Sequence, residues 1–469
     1  MTPAACPGCQ QRDERIRELE QRVADLEAQV RDFLARLGTN ATNSSVPPSA
    51  NPPGAPKPVT KQPTGKKPGG QPGHPPCLRQ RLPPERVGSA VVFAPTHCDR
   101  CHAPLPALAG PDDPAPTWHQ VAELPALAAE VIEYQGQYRT CPGCSKLNHA
   151  AIPQEIKAHS VGPRLAATLA YLAGGHHVSH RGLEEIAHDV FAVPLSLGTV
   201  THLQQQLSAA LTPAHAQALA AVRAAAVKNV DETSWKLAGK LCWLWLAATD
   251  TVAAFLIHAR RGWEGLAALL GDPGPGVVCS DRWSAYGRLS PWCRQVCWAH
   301  LKRDFQKLVD RGGAAAPVGR ALLQVAQRVF ADWHRCRGGG VTRATLQKRL
   351  DGPARQLERL LRKGRRCADT KAATFCENLL ELLPAVWRFV VSAGVEPTNN
   401  HAERLLRRGV LWRKNAFGSH SVAGCRFVER LLTVVQTRRL QGRSVLGYLY
   451  EALVAHRNGL PAPSLLPVG

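Results

Sequence analysis

Three acids far apart in the chain, Asp231, Asp281 and Glu403, have the residue types for phosphodiester chemistry. Asp231 follows the apolar-leaning run Ala226 to Val230, and Asp281 follows Gly276 to Cys279 and Ser280. Both runs have the length and character of strands, so each aspartate is expected at a strand tip. Neighbouring strands would set the two carboxylates side by side, and a glutamate from a later helix would complete an oxygen cage for two divalent ions. Hard Mg2+, with Mn2+ as a substitute, takes such oxygens. A pair of such ions activates the attacking oxygen of a phosphodiester and stabilises the leaving one. The chain holds 36 acids, so spacing alone leaves Glu232, Asp250, Asp272 and Glu396 as rivals.

A second donor set is Cys98-x-x-Cys101 with Cys141-x-x-Cys144. Each knuckle can present two thiolates from one tight turn, and together they suit one tetrahedral Zn2+. Pro142-Gly143 favours the turn. The 39 residues between Cys101 and Cys141 exceed ordinary finger spacing, a gap that β-hairpins can fill. His97 and His102 are alternative ligands, and buried structural cysteines are the plain alternative. Cys6-Pro7-Gly8-Cys9 has no partner pair in its segment and is left open. Cys297-Trp298-Ala299-His300 also lacks a second pair. Its Cys and His are expected to pack or hydrogen-bond near the acids, and no metal is assigned to them.

The run Thr398-Asn399-Asn400-His401-Ala402-Glu403-Arg404 starts a helix, with Thr398 or Asn399 as N-cap. From Arg404 to Arg443 stand ten basic residues against one acid, Glu429. Arg404, Arg407, Arg408, Arg413 and Lys414 are the candidates there for contacts to a phosphate backbone. The net charge of +22 over 469 residues points the same way, to nucleic acid. An anionic membrane surface would also attract it, but no run of about 18 apolar residues is present to span a bilayer. A polar N-terminus without a signal peptide predicts a cytoplasmic protein, associated with the nucleoid. In a reducing compartment its 15 cysteines favour metal sites over disulfides.

The elements that must position these residues follow in order. Ile16, Leu19, Val23, Leu26, Val30, Phe33 and Leu37 recur in steps of three and four, a heptad seam that predicts self-association through a coiled coil. Residues 39–84 are rich in Pro, Gly, Ser, Thr and Asn, carry six Lys and Arg and no acid, and form a linker. Short apolar runs at Val91–Phe93 and Val131–Tyr134 predict a small β-rich module. His180–Phe191, a turn over Ala192–Ser196, and Leu197–Leu207 resemble a helix-turn-helix. Then come strands at 226–230, 241–247, 253–257, 276–279 and 294–298, with a helix over 263–270 after the third. Helices fill 299–310, 314–390 and 398–458.

Several motifs together resemble transposases of the insertion-sequence-66 family, the large TnpC-type subunit, over nearly the whole chain. They are Asn43-Ser44-Ser45-Val46-Pro47-Pro48-Ser49, Gly69-Gly70-Gln71-Pro72-Gly73-His74, the paired knuckles, and Val230-Asp231-Glu232-Thr233. Ser280-Asp281-Arg282-Trp283-Ser284-Ala285-Tyr286, Cys297 to Arg303, Asn399-Asn400-x-Ala402-Glu403-Arg404 and Arg413-Lys414-Asn415 complete the set. Val46 departs from the expected Lys and touches only the linker. The resemblance implies a DDE transposase with a ribonuclease-H-like α/β core, in which Asp231, Asp281 and Glu403 hold two Mg2+. It further implies a helical insertion in the 122 positions from Asp281 to Glu403.

The resulting domain scheme is a coiled coil (1–38), a basic linker (39–87), a zinc module (88–158) and a helix-turn-helix-like DNA-binding region (159–225). The core's first part (226–312), the helical insertion (313–395) and the core's C-terminal part (396–469) follow. The expected reaction is cleavage at transposon ends and joining of the 3′ ends to target DNA, with accessory proteins of the same element as possible partners. The alternatives are a catalytically inactive DNA-binding regulator and a metal-dependent nuclease without strand transfer.

Overall fold

A computed structural model of the chain describes residues 15–27, 29–30, 80–125, 127–271 and 276–466. Phe33, Leu37, Asp272, the Cys6/Cys9 knuckle and most of the expected linker lie outside the described residues. Residues 15–27 and 29–30 are helical, and Ile16, Leu19, Val23, Leu26 and Val30 are 46–57% exposed along them.

The chain divides into two compact units, residues 59–129 and the rest, so the zinc module expected over 88–158 spans their boundary. In the first unit, Gln120 holds the Leu82 backbone at both ends, accepting from its N–H and donating to its carbonyl (2.8 and 3.1 Å). The expected β-rich character is corrected by the structure. Among the described residues from 88 to 150, the strands are Tyr138–Thr140 and Leu147–His149, one hairpin in the second unit. Val91, Val92 and Phe93 are unpaired and at least 77% exposed. Prolines at positions 95, 104, 106, 111, 114, 116 and 125 remove ladder donors throughout that stretch.

The second unit continues with α1 (Pro163–His176), α2 (His180–Asp189), α3 (Leu197–Ala210) and α4 (Thr212–Ala224). Ser179 and Ser196 cap α2 and α3, accepting from Gly182 N and Thr199 N. Ala192 takes a positive φ of 55° in the turn between them. Two helices joined by a turn thus stand where that motif was expected. On α3, Val200, Leu203 and Leu207 are buried at helical spacing, while Thr201, His202 and Gln205 face solvent.

The sheet follows: β1 (Val227–Leu237), β2 (Lys240–Ala248), β3 (Ala253–His258), then α5 (Trp263–Leu270), β4 (Val277–Ser280) and β5 (Arg294–Val296). Its strand order is β3-β2-β1-β4-β5. The first three strands are antiparallel neighbours, and β4 and β5 run parallel to β1. Ala238 and Gly239 both have positive φ, the twist that a two-residue hairpin requires. One expectation changes here. Asp231 is not at the tip of its strand, because β1 runs on to Leu237 paired with β2, while β4 stops at Ser280.

Four long helices come next: α6 (Trp298–Asp310), α7 (Ala315–Arg337), α8 (Arg343–Gly364) and α9 (Thr370–Glu381). They form a core of their own, centred on Phe305, Leu322, Val325 and Leu357 and continuous with Val277, Cys279 and Val296 of β4 and β5. That core begins with α6, earlier than the boundary expected at 313. A second core joins the rest of the sheet to α1–α4 and to α10 (Asn400–Ala416), α11 (Val422–Leu440) and α12 (Val445–Arg457). Among the described residues no helix is long and apolar enough to cross a membrane.

An edge strand presents unpaired N–H groups, and β3 meets this with a helix. Side chains one turn apart on α11 take its donors in sequence. Glu429 accepts from Ile257 N (2.6 Å), Thr433 from Phe255 N (3.0 Å) and Thr437 from Ala253 N (3.0 Å). All three are fully buried. Glu429, the lone acid of the basic block, therefore serves the fold. Thr433→Val keeps the shape and strands the Phe255 N–H, so it should cost about 1–3 kcal/mol in a denaturant melt. An unchanged melt would mean that this bond contributes nothing.

Candidate active site

Along β1, Lys228, Val230 and Glu232 turn to one buried face, and Asn229, Asp231 and Thr233 to the other. The pairing of β1 with β4 reaches Asn229–Cys279. Two residues further along stand Asp231, within β1, and Asp281, just past the end of β4. Backbone N–H groups fix both carboxylates: Asp231 Oδ1 accepts from Glu232 N (2.9 Å) and Asp281 Oδ1 from Trp283 N (2.8 Å). The loop after β4 is held by the buried Arg294, which donates to Ser280 Oγ, Tyr286 O and Asp281 O.

Glu403 reaches this place through Asn399. That residue occupies the N-cap position of α10, as expected, but its side chain caps nothing. It is buried, its Nδ2 donates to Val230 O (2.7 Å), and its Oδ1 accepts from Asn229 Nδ2 (2.9 Å). Its backbone N–H donates to Cys297 Sγ (3.2 Å). The start of α10 is thus tied both to β1, one residue before Asp231, and to the β5–α6 turn. Glu403 stands one helical turn further on.

Burial, then the neighbouring carboxylates Glu232, Asp281 and Glu403, hold the Asp231 carboxyl well above the usual range, against the Glu232 N–H that favours its charged form. Glu403 Oε1 is itself buried without a hydrogen-bond partner. Carboxylates whose charges repel one another, one of them with an oxygen left without a donor, fit hard divalent ions. Among the described residues, one group of three metal-capable donors lies within 4.8 Å: Cys297, His300 and Glu403. The sequence pattern assigned the first two no metal, because their partner comes from a helix about a hundred residues away.

The rival acids are placed otherwise. Glu232 points to the opposite face, where Tyr286 OH (2.6 Å) and Arg261 Nε (3.0 Å) donate to it. Arg261 lies between the rings of Trp283 and Trp243 (3.8 and 4.7 Å). Asp250 is exposed in the β2–β3 turn, and Glu396 precedes the Asn399 tether. Of the five basic candidates, Arg404, Arg407, Arg408 and Lys414 are exposed along α10. Arg413 is drawn into the fold, donating to Thr233 Oγ1, Ser234 O and Ser234 Oγ. Arg430 and Arg439 likewise bond Ser208 and the Gly175 carbonyl.

The two cysteine knuckles share one local geometry. Cys98 N donates to Ala103 O and accepts His102 N at its carbonyl; Cys141 N donates to Lys146 O and accepts Ser145 N. His102 and Ser145 both have positive φ. Backbone N–H groups of Cys101 and Arg100 hold the Cys98 thiol below its ordinary range, and those of Gly143 and Cys144 do so for Cys141. Thiols poised towards thiolate are what a soft metal ligand requires.

The chain belongs to the Transposase IS66 family, whose model matches residues 159–426 and so includes all three acids. A second model, of a family of unknown function, matches residues 8–80. An uncharacterized protein of Sinorhizobium fredii (strain NBRC 101917 / NGR234), y4qI, is 25% identical over 244 residues, covering 48% of this chain and 45% of that protein. The chain therefore spans about half the length of that curated relative.

Because Asp231 holds its proton more tightly folded than unfolded, the metal-free fold loses stability as pH rises from about 4 towards the raised folded value. With chelator at pH 7, Asp231→Asn should melt higher than wild type, and at pH 4 the difference should vanish. Mn2+ should raise the wild-type midpoint more than the variant's. A variant that melted lower at pH 7 would contradict the repulsion read here.

Proposed function

We propose that this chain is a DDE transposase that cleaves DNA at the ends of its element and joins the freed 3′ ends to target DNA. What supports the reading is the β1–β4 register that leads to Asp231 and Asp281, together with the Asn399 tether that sets the start of the Glu403 helix against β1. The strand order, with three antiparallel strands followed by two parallel ones, supports a ribonuclease-H-like core. Asp231, Asp281 and Glu403 would hold two Mg2+, which Mn2+ can replace. When bound, such ions activate the attacking oxygen and stabilise the leaving one. The protein's share is positional. Backbone N–H groups fix the two aspartates, Asn399 sets the register of Glu403, and Arg294 steadies the loop after Asp281.

DNA affinity belongs to other residues in this reading. Arg404, Arg407, Arg408 and Lys414 would contact phosphates beside the carboxylates, and α3 would read a groove with its polar face. Arg413 would act from within, holding α10 to β1. The N-terminal helix would pair with a second copy through its exposed apolar seam. The Cys98/Cys101 and Cys141/Cys144 knuckles would each supply thiolates to structural Zn2+.

Asp231→Asn, Asp281→Asn and Glu403→Gln should each lower end cleavage by at least about a hundredfold while DNA binding holds, since rate depends on the metals and affinity on the arginines. Asp250→Asn is the control. Active triad variants would remove the reading. Cleavage without strand transfer on oligonucleotide substrates would make the chain a nuclease. For the zinc, metal analysis should show one equivalent per chain that falls in Cys141→Ser. Unchanged content would end that assignment.

A further inference from the structure

His300 lies in the first turn of α6, and no role above uses it. Its Nδ1 is 3.6 Å from Glu403 Oε1. Both atoms are buried and neither has a hydrogen-bond partner. The gap is longer than a hydrogen bond. Two ligands of one ion can span that gap, since each would sit about 2 Å from it. Asp281 is near enough for its charge to act on the imidazole, as is that of Glu403. We propose that His300 supplies a nitrogen ligand, through Nδ1, to the divalent ion held by Glu403. This rests on the carboxylate-triad reading and extends its ligand set.

The third member of the cluster has a different task. Cys297 Sγ already accepts the Asn399 N–H and so staples the β5–α6 turn to α10. Arg303, one turn along α6 from His300, adds positive charge on the same side. An imidazole beside carboxylates shifts preference away from Mg2+, which favours oxygen alone, towards Mn2+ and other first-row ions. The site is therefore a mixed nitrogen–oxygen position that takes Mn2+ in preference to Mg2+.

The test is electron paramagnetic resonance on the full-length protein titrated with Mn2+, with Mg2+ as competitor. Wild type should show nitrogen coupling to bound Mn2+, a readout that needs neither a variant nor activity. In His300→Ala the coupling should disappear and Mn2+ affinity fall about tenfold or more, with a smaller loss for Mg2+. Asp231→Asn reports the underlying triad separately. If Mn2+ binding depends on Asp231 but shows no nitrogen coupling, the histidine proposal is overturned and the triad stands. If the coupling depends on His300 but binding is indifferent to Asp231, the histidine ligand stands and the triad reading fails. No saturable Mn2+ binding would overturn both.

Discussion

The site depends on the side-chain amide of Asn399. A helix N-cap usually spends its polar side chain on its own helix. Asn399 spends it on β1, donating to Val230 O and accepting from Asn229, while its backbone N–H goes to Cys297. One buried residue therefore fixes the start of a seventeen-residue helix against both a strand and a turn. An amide suits the task because it donates and accepts at once and carries no charge into a place already crowded with carboxylates. An aspartate there would accept but not donate, and would add repulsion to that already acting on Asp231.

The same division between charge and fold runs through the basic residues. A stretch with ten Lys and Arg invites a single explanation, yet the structure splits it. Some guanidinium groups stay in water along α10, and others end on backbone carbonyls and hydroxyls that join distant elements. Guanidinium serves both purposes because its planar fork reaches several acceptors while remaining charged. Glu429 shows the converse: an acid that looks superficial in sequence closes the edge of the sheet.

Much of this was legible beforehand. The five strands lie within a residue or two of their expected starts, because the apolar runs are bounded by turns with unmistakable residues such as Gly239 and Ser280. The two helices on either side of the 192–196 turn were equally visible. What could not be read was pairing. Nothing in Glu232 alone says that it faces away from Asp231; that follows only once β1 is known to run past residue 231. Nothing marks Arg294 among 58 Lys and Arg as one that is buried. The runs at Val91 and Val131 have strand composition, but composition does not supply a neighbouring strand.

The helical insertion leaves the sheet and returns to nearly the same point. Trp298 N donates to Pro397 O, and Asn399 N to Cys297 Sγ, so its two ends are sewn together. Residues 299–396 thus form a closed excursion whose contour length does not affect where Glu403 sits. Counting positions between the second and third acids measures only the size of that excursion. A backbone nick inside it, at the Gly338–Gly340 junction for example, would leave two fragments that still share a core and a seam, with every carboxylate at its station.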